Sequence, residues 1–195
     1  MKQGLRRYGL ALLLGLLAVL IAAAGDTLQL ALRYDRQAIG EGEVWRLLTG
    51  HLVHLSSGHL LMNLLGMGLV VVFFWPLLGN GAWLVLILFS ALFIALAIYL
   101  FHPQVLWYVG LSGIIHALFI AGGLADLRVR PWEGRLFLAL VGFKLAWEQL
   151  FGPLPGSERS AGGPVLVDAH LYGALAGLAF WLLWRRWRRY RGVSY

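Results

Sequence analysis

Apolar residues gather into six long runs separated by polar breaks. The runs cover Tyr8–Ala24, Leu55–Trp75, Ala82–Phe101, Leu111–Leu127, Leu136–Phe151 and Val165–Trp184. A helix that crosses a bilayer needs about 20 predominantly apolar residues, and each run approaches that length. The breaks at 76–81 and 102–110 are short and rich in Gly, Pro and Asn, as tight connections between neighbouring helices require. Two connections are longer. Gly25–Gly50 is the most polar stretch, and Gly152–Pro164, with the sequence GPLPGSERSAGGP, reads as flexible. The pattern predicts an all-α membrane protein, a six-transmembrane-helix bundle forming a single domain over 1–195.

Composition supports this reading. The chain is 60% hydrophobic and only 13% charged, whereas a soluble domain carries about 25% charged residues. A net charge of +7 raises the question of nucleic acid, but the basic residues cluster at the two ends and in one loop. On a membrane chain that pattern sets orientation and lipid contact, so the expected partner is the bilayer and not nucleic acid. Lys2, Arg6, Arg7, Arg128, Arg130, Arg135, Arg185, Arg186, Arg188, Arg189 and Arg191 fall on one side of six spans; Arg33, Arg36, Arg46 and Arg159 fall on the other. Eleven against four places both termini in the cytoplasm. Trp181, Trp184 and Trp187 among arginines read as an interfacial anchor of the tail at 185–195. The first run has a competing reading as a signal peptide, because a basic start and apolar run lead into IAAAGD. Retention as a span is the expectation, since its loss would remove a packing partner. The absence of cysteine excludes disulfides, thiolate catalysis and Cys-based metal sites.

Polar residues inside the runs carry the candidate chemistry. With six spans, the second, fourth and sixth all enter from the outer face. Ser112 then lies in the first turn of the fourth, His170 near the start of the sixth, and His59 and Asn63 in the outer half of the second. At about 1.5 Å rise per residue, all four fall within about 10 Å of one interface. His59 and Asn63, four apart, share a helix face. A serine hydroxyl becomes a nucleophile when a base takes its proton, and His170 is the candidate base. The oxyanion formed on a carbonyl needs preorganised donors, which Asn63, His59 and the Ser112 N–H can supply. Gly110 and Gly113 flank the serine and permit a tight helix entry. Gly173 and Gly177 form a small-xxx-small pair that would bring the sixth span against the fourth.

Other polar residues read differently. Asp168 is two residues from His170, and such positions do not face each other on a helix, so it is expected to be an interfacial or N-terminal-turn carboxylate and not a triad acid. Lys144 and Glu148, four apart, read as a pair facing either the bundle interior or the outer interface. His51 reads as structural.

These residues resemble the rhomboid intramembrane serine proteases over roughly Glu43 to Gly177. EVWRLLTGHLVH, with Trp45 and Arg46, looks like the first-loop WR motif. HLVHLSSGHLLMN resembles a His-x4-His-x3-Asn pattern on His54, His59 and Asn63; GLSG resembles the nucleophile motif and AHLYGALAG the motif of the base. The resemblance implies a Ser112–His170 dyad, an oxyanion hole of His59, Asn63 and the Ser112 amide, a water-filled cavity open to the outside, and no metal or cofactor. It implies supporting roles for Gly110, Gly113, Gly173, Gly177, His54, Trp45 and Arg46. Where many rhomboids carry a tyrosine stacked on the catalytic histidine, this chain has His116. It lies one turn from Ser112 and either stacks on His170, hydrogen-bonds near the cavity, or is a neutral interior histidine on a carbonyl. Within the superfamily the chain looks most like rhombosortase, which implies a bacterial inner-membrane enzyme opening toward the periplasm. Its substrates would be exported proteins bearing a C-terminal Gly-Gly sorting segment. The alternatives are a general rhomboid protease with other single-span substrates, a non-catalytic rhomboid-like binding protein, and a metallohydrolase using the six histidines.

Overall fold

The structure, a computed structural model, describes residues 2–192, with side chains from Arg7 onward. The orientation expectations resting on the side chains of Lys2 and Arg6 fall outside the described residues. Six helices of 15 residues or more form the body: α1 (Lys2–Ala23), α5 (Ser57–Phe73), α6 (Asn80–Phe101), α7 (Ser112–Asp126), α8 (Pro131–Phe151) and α10 (Val167–Tyr190). Each matches one apolar run of the sequence. By length and apolarity, α6 and α10 suffice to cross a membrane. A third candidate is a bent pair, Arg46–Leu52 with Ser57–Phe73, turned through 94°. α1 and α7 contribute shorter apolar stretches.

The longer connections are more ordered than their composition suggests. The first loop holds α2 (Asp26–Leu32), α3 (Arg36–Gly40) and α4 (Arg46–Thr49), and the second holds α9 (Ser157–Ala161). The all-α expectation also needs one amendment. β1 (Tyr34–Asp35) pairs antiparallel with β2 (Trp107–Tyr108), setting Tyr34 opposite Tyr108. This short ladder ties the first loop to the segment that leads into Ser112.

Arginines hold the first loop by satisfying carbonyls that helix and loop geometry leaves open. Arg36 donates to the carbonyls of Ile98, Tyr99 and His102, closing the C-terminus of α6, and to that of Val105. Arg46 donates to the Glu43 carboxylate at 2.6 Å and to the carbonyls of Leu30 and Arg33. Its neighbour Trp45 is half exposed. Arg46 therefore braces the loop.

The core sits where α6, α7 and α10 meet. Ile94, Ile98, Ala117, Leu118, Ala121, Ala169 and Ala176 are all essentially inaccessible there. At the opposite end, Trp75 stacks on Trp83 at 5.1 Å and donates to the carbonyl of Arg7, joining α1 to the α5–α6 turn. Near the α10 C-terminus, Trp184 stacks on Trp187 and the Arg128 guanidinium lies over Trp181.

α10 lies against α7 with almost no space between backbones. A Cβ on Gly173 would overlap the Gly113 carbonyl, and one on Gly177 the Ala117 carbonyl. Gly173→Val or Gly177→Val must push the helices apart. Each is expected to destabilise the protein by about 1–3 kcal/mol, the usual cost of overpacking. A thermal melt in detergent would register this as a lowered midpoint.

Candidate active site

The site forms where four long helices converge on a cavity of about 660 Å³. His59 and Asn63 come from α5, Ser112 and His116 from α7, Lys144 and Glu148 from α8, and His170 from α10. α9 covers this space, contributing Ser157, Ser160 and Ala161 to its wall. Ser56 anchors the cover. Its hydroxyl caps α5 by accepting from the His59 N–H and donates to the Ala161 carbonyl at 2.9 Å.

Ser112 begins α7, so its N–H is among the first-turn donors that have no partner within a helix. The entry into this turn is built tightly. Gly110 has φ +122°, a conformation that a side chain would strain, and a Cβ there would come within 2.8 Å of the His59 ring. The Gly110 carbonyl accepts from the Tyr108 hydroxyl and its N–H donates to Gly50. His51, buried, bonds the Ala91 carbonyl and meets Tyr108 edge-on, which fits a structural role.

Ser112 Oγ donates to His170 Nε2 at 2.9 Å. The geometry that permits this is the helix contact at Gly173, one turn along α10 from His170. His116 does two of the things its position suggested. Its ring stacks on His170 at 4.4 Å and 20°, and its Nδ1 donates to the Ser112 carbonyl at 2.7 Å.

The donors opposite Ser112 are equally defined. His59 Nδ1 accepts from the Leu55 N–H at 3.4 Å, so the proton of the neutral ring resides on Nε2, where it can be donated toward Gly110 and Ser112. His54 packs edge-on to His59 at 5.0 Å and bonds the Leu52 carbonyl, buttressing this ring. Asn63 is buried, and its Nδ2 has no partner among the described residues. A buried amide donor left open beside a serine hydroxyl is a feature an arriving oxyanion would satisfy.

Asp168 stands in the first turn of α10, its carboxylate 3.8 Å from His102 Nδ1, as an N-terminal-turn carboxylate would. Of the two faces open to Lys144 and Glu148 the structure selects the interior, and Glu148 reaches His170: its Oε2 accepts from His170 Nδ1 at 2.9 Å and from Lys144 Nζ at 2.7 Å. The sequence showed this pair only as an i,i+4 spacing within α8. Nothing along the chain indicated that α8 turns that face toward α10.

His116, Glu148 and His170 also place their donor atoms within 4.8 Å of one another, the span of a metal shell. Their directions do not suit one. The two imidazoles are nearly parallel, so their in-plane lone pairs do not converge, and the Glu148 oxygen nearest them already holds Lys144 and His170.

Asn63 makes no side-chain hydrogen bond to the described residues through Nδ2, so Asn63→Leu, of similar volume, is expected to leave the melting midpoint close to that of wild type in a thermal melt.

Comparison with known proteins agrees with this architecture. The Rhomboid domain family matches residues 41–187, which include every residue of the site. Rhomboid protease GlpG of Enterobacter sp. (strain 638) is 30% identical over 175 residues, covering 84% of this chain and 57% of that relative's length. The chain thus spans little more than half of the curated relative it matches. The extent of the family match is sufficient: the chain belongs to the rhomboid family of integral membrane proteins.

Proposed function

We propose that the chain is an intramembrane serine endopeptidase in which Ser112 is the nucleophile and His170 the general base. One observation carries the reading. The Ser112 hydroxyl donates to His170 Nε2 at 2.9 Å inside a cavity whose opposite wall holds the open Asn63 amide. His170 takes the proton as Oγ bonds to the scissile carbonyl carbon. The resulting oxyanion is held by Asn63 Nδ2, His59 Nε2 and the Ser112 N–H. Collapse breaks the C–N bond, and His170 returns its proton to the leaving amine. Water, activated by the same imidazole, then hydrolyses the acyl-serine.

The substrate in this reading is a membrane segment of another protein, entering sideways between α5 and α8. Leu65 and Leu69 of α5 and Val141 of α8 give the cavity an apolar flank suited to it. Its helix must unwind locally before a carbonyl can be attacked, because helical hydrogen bonding occupies the backbone. Each glycine eases this by about 1 kcal/mol relative to alanine. That supports C-terminal Gly-Gly sorting segments of exported proteins as the substrate class, as does the rhombosortase-like His116 stacked on His170. Six spans with both termini cytoplasmic in a bacterial inner membrane, and a cavity opening toward the periplasm, complete the proposal. Retention of α1 in it is supported by the buried Ala11 and Ala18 and by the Trp75 bond to Arg7. A general rhomboid protease acting on other single-span proteins is the second reading, favoured by the similarity to GlpG.

Co-expression with Gly-Gly-tailed exported proteins, followed by mass spectrometry of the tail, tests the proposal. Wild type is expected to remove the tail, and Ser112→Ala and His170→Ala to leave it intact with the fold preserved. A fluorophosphonate probe should label wild type and not Ser112→Ala. Cleavage retained in Ser112→Ala would sink the assignment; cleavage of unrelated single-span proteins alone would favour the second reading. Asn63→Ala is expected to lower kcat about 10²–10³-fold, the usual loss for one oxyanion donor.

A further inference from the structure

We propose that Glu148 is a positioning carboxylate for His170, held in its ionised form by Lys144, so that the catalytic dyad works as one end of a four-residue chain. The inference rests on the serine protease reading and goes beyond the two-residue machinery that the rhomboid resemblance implies.

The chain of contacts is continuous. Lys144 Nζ donates to Glu148 Oε2 at 2.7 Å, His170 Nδ1 donates to the same oxygen at 2.9 Å, and Ser112 Oγ donates to His170 Nε2 at 2.9 Å. Three helices contribute, and the imidazole is clasped at both nitrogens. An ionised carboxylate only accepts hydrogen bonds, so it requires the proton of neutral His170 to sit on Nδ1. That leaves a lone pair on Nε2, aimed at the serine hydroxyl. The opposite tautomer would place a proton between Nε2 and Oγ and leave no base.

Glu148 is 2% exposed, and a carboxyl buried in an apolar bundle tends to take up a proton. A protonated Glu148 could donate to Nδ1 and impose the unproductive tautomer. Lys144 opposes this by placing its positive charge on the same oxygen. The ammonium also lies 3.4 Å from His170 Nδ1, where it would by itself oppose formation of the imidazolium. Glu148 offsets that repulsion when His170 accepts the serine proton. A merely structural Lys144–Glu148 pair would need no contact with the base, and buried ion pairs are weak devices for stability. The shared oxygen is what points to positioning.

The experiment uses the full-length protein, comparing wild type with Glu148→Gln, Glu148→Asp and the double variant Lys144→Met/Glu148→Gln. Cleavage kinetics, the rate of fluorophosphonate labelling and melting midpoints are read for each. Glu148→Gln is expected to lower kcat and the labelling rate on the order of 10²–10⁴-fold, by analogy with loss of a triad carboxylate. KM should change little. Glu148→Asp should recover much of the loss, and the double variant should fold and be as slow as Glu148→Gln. The ¹⁵N spectrum of His170, recorded in Ser112→Ala, should report a protonated Nδ1 with Glu148 present and a mixed tautomer with Gln. Activity should survive a chelator. Unchanged kcat in Glu148→Gln, a loss that only tracks the melting midpoint without rescue by Asp, or an unaltered His170 spectrum would overturn the proposal. So would inhibition by chelation, since a metal on these atoms would replace the hydrogen bonds. A wild-type chain inert in both assays would instead remove the protease reading, and the His170 spectrum would still decide whether Glu148 sets the tautomer.

Discussion

The backbone of α10 rests directly on the backbone of α7, and the geometry of the site depends on that contact. The van der Waals packing that associates helices in lipid is strongest where side chains do not hold backbones apart. Gly173 against Gly113 and Gly177 against Ala117 set the separation of the two helices. His170 and Ser112 stand near the N-terminal ends of the two helices, where their side chains meet at hydrogen-bond distance. A methyl group at either α10 glycine would overlap a backbone carbonyl of α7 and force the two helices apart.

Around the seam, polar groups are satisfied by one another to an unequal degree. His170 is bonded at both nitrogens and covered by His116, so its ring has one orientation. Arg130 satisfies Asp126 and the Phe73 carbonyl at the far end of α7. Asn63 Nδ2 and His116 Nε2 on the cavity wall, like Tyr34 Oη and Trp184 Nε1 elsewhere, are buried with no partner among the described residues. The two on the cavity wall face the space beside Ser112, and the stability that holds this wall in place lies elsewhere in the fold.

That stability includes the first loop. Arg36 closes the end of α6, Arg46 gathers the carbonyls of Leu30 and Arg33, and the Tyr34–Tyr108 pairing ties both to the segment before Gly110. The loop lies outside the cavity yet fixes the strand from which the serine turn departs. Tyr108 then holds the Gly110 carbonyl, and Gly110, with φ +122°, turns the chain into α7 beneath the His59 ring.

The sequence by itself determined the six long helices, because extended apolar runs leave the backbone few other ways to satisfy its hydrogen bonds away from water. It also marked Ser112, His170, His59 and Asn63, since polar residues in such runs are costly enough to demand a reason. The spacing of Gly173 and Gly177 indicated which face of α10 would be closely packed. The order within the first loop was less legible, because its arginines bond to carbonyls, which carry no residue identity. Glu148 was visible only as half of an i,i+4 pair. Its bond to His170 spans 22 residues and two helices and depends on how α8 is rotated about its own axis. Local spacing fixes which residues share a face of a helix. Only the packing of α8 against both α7 and α10 decided what that face would meet.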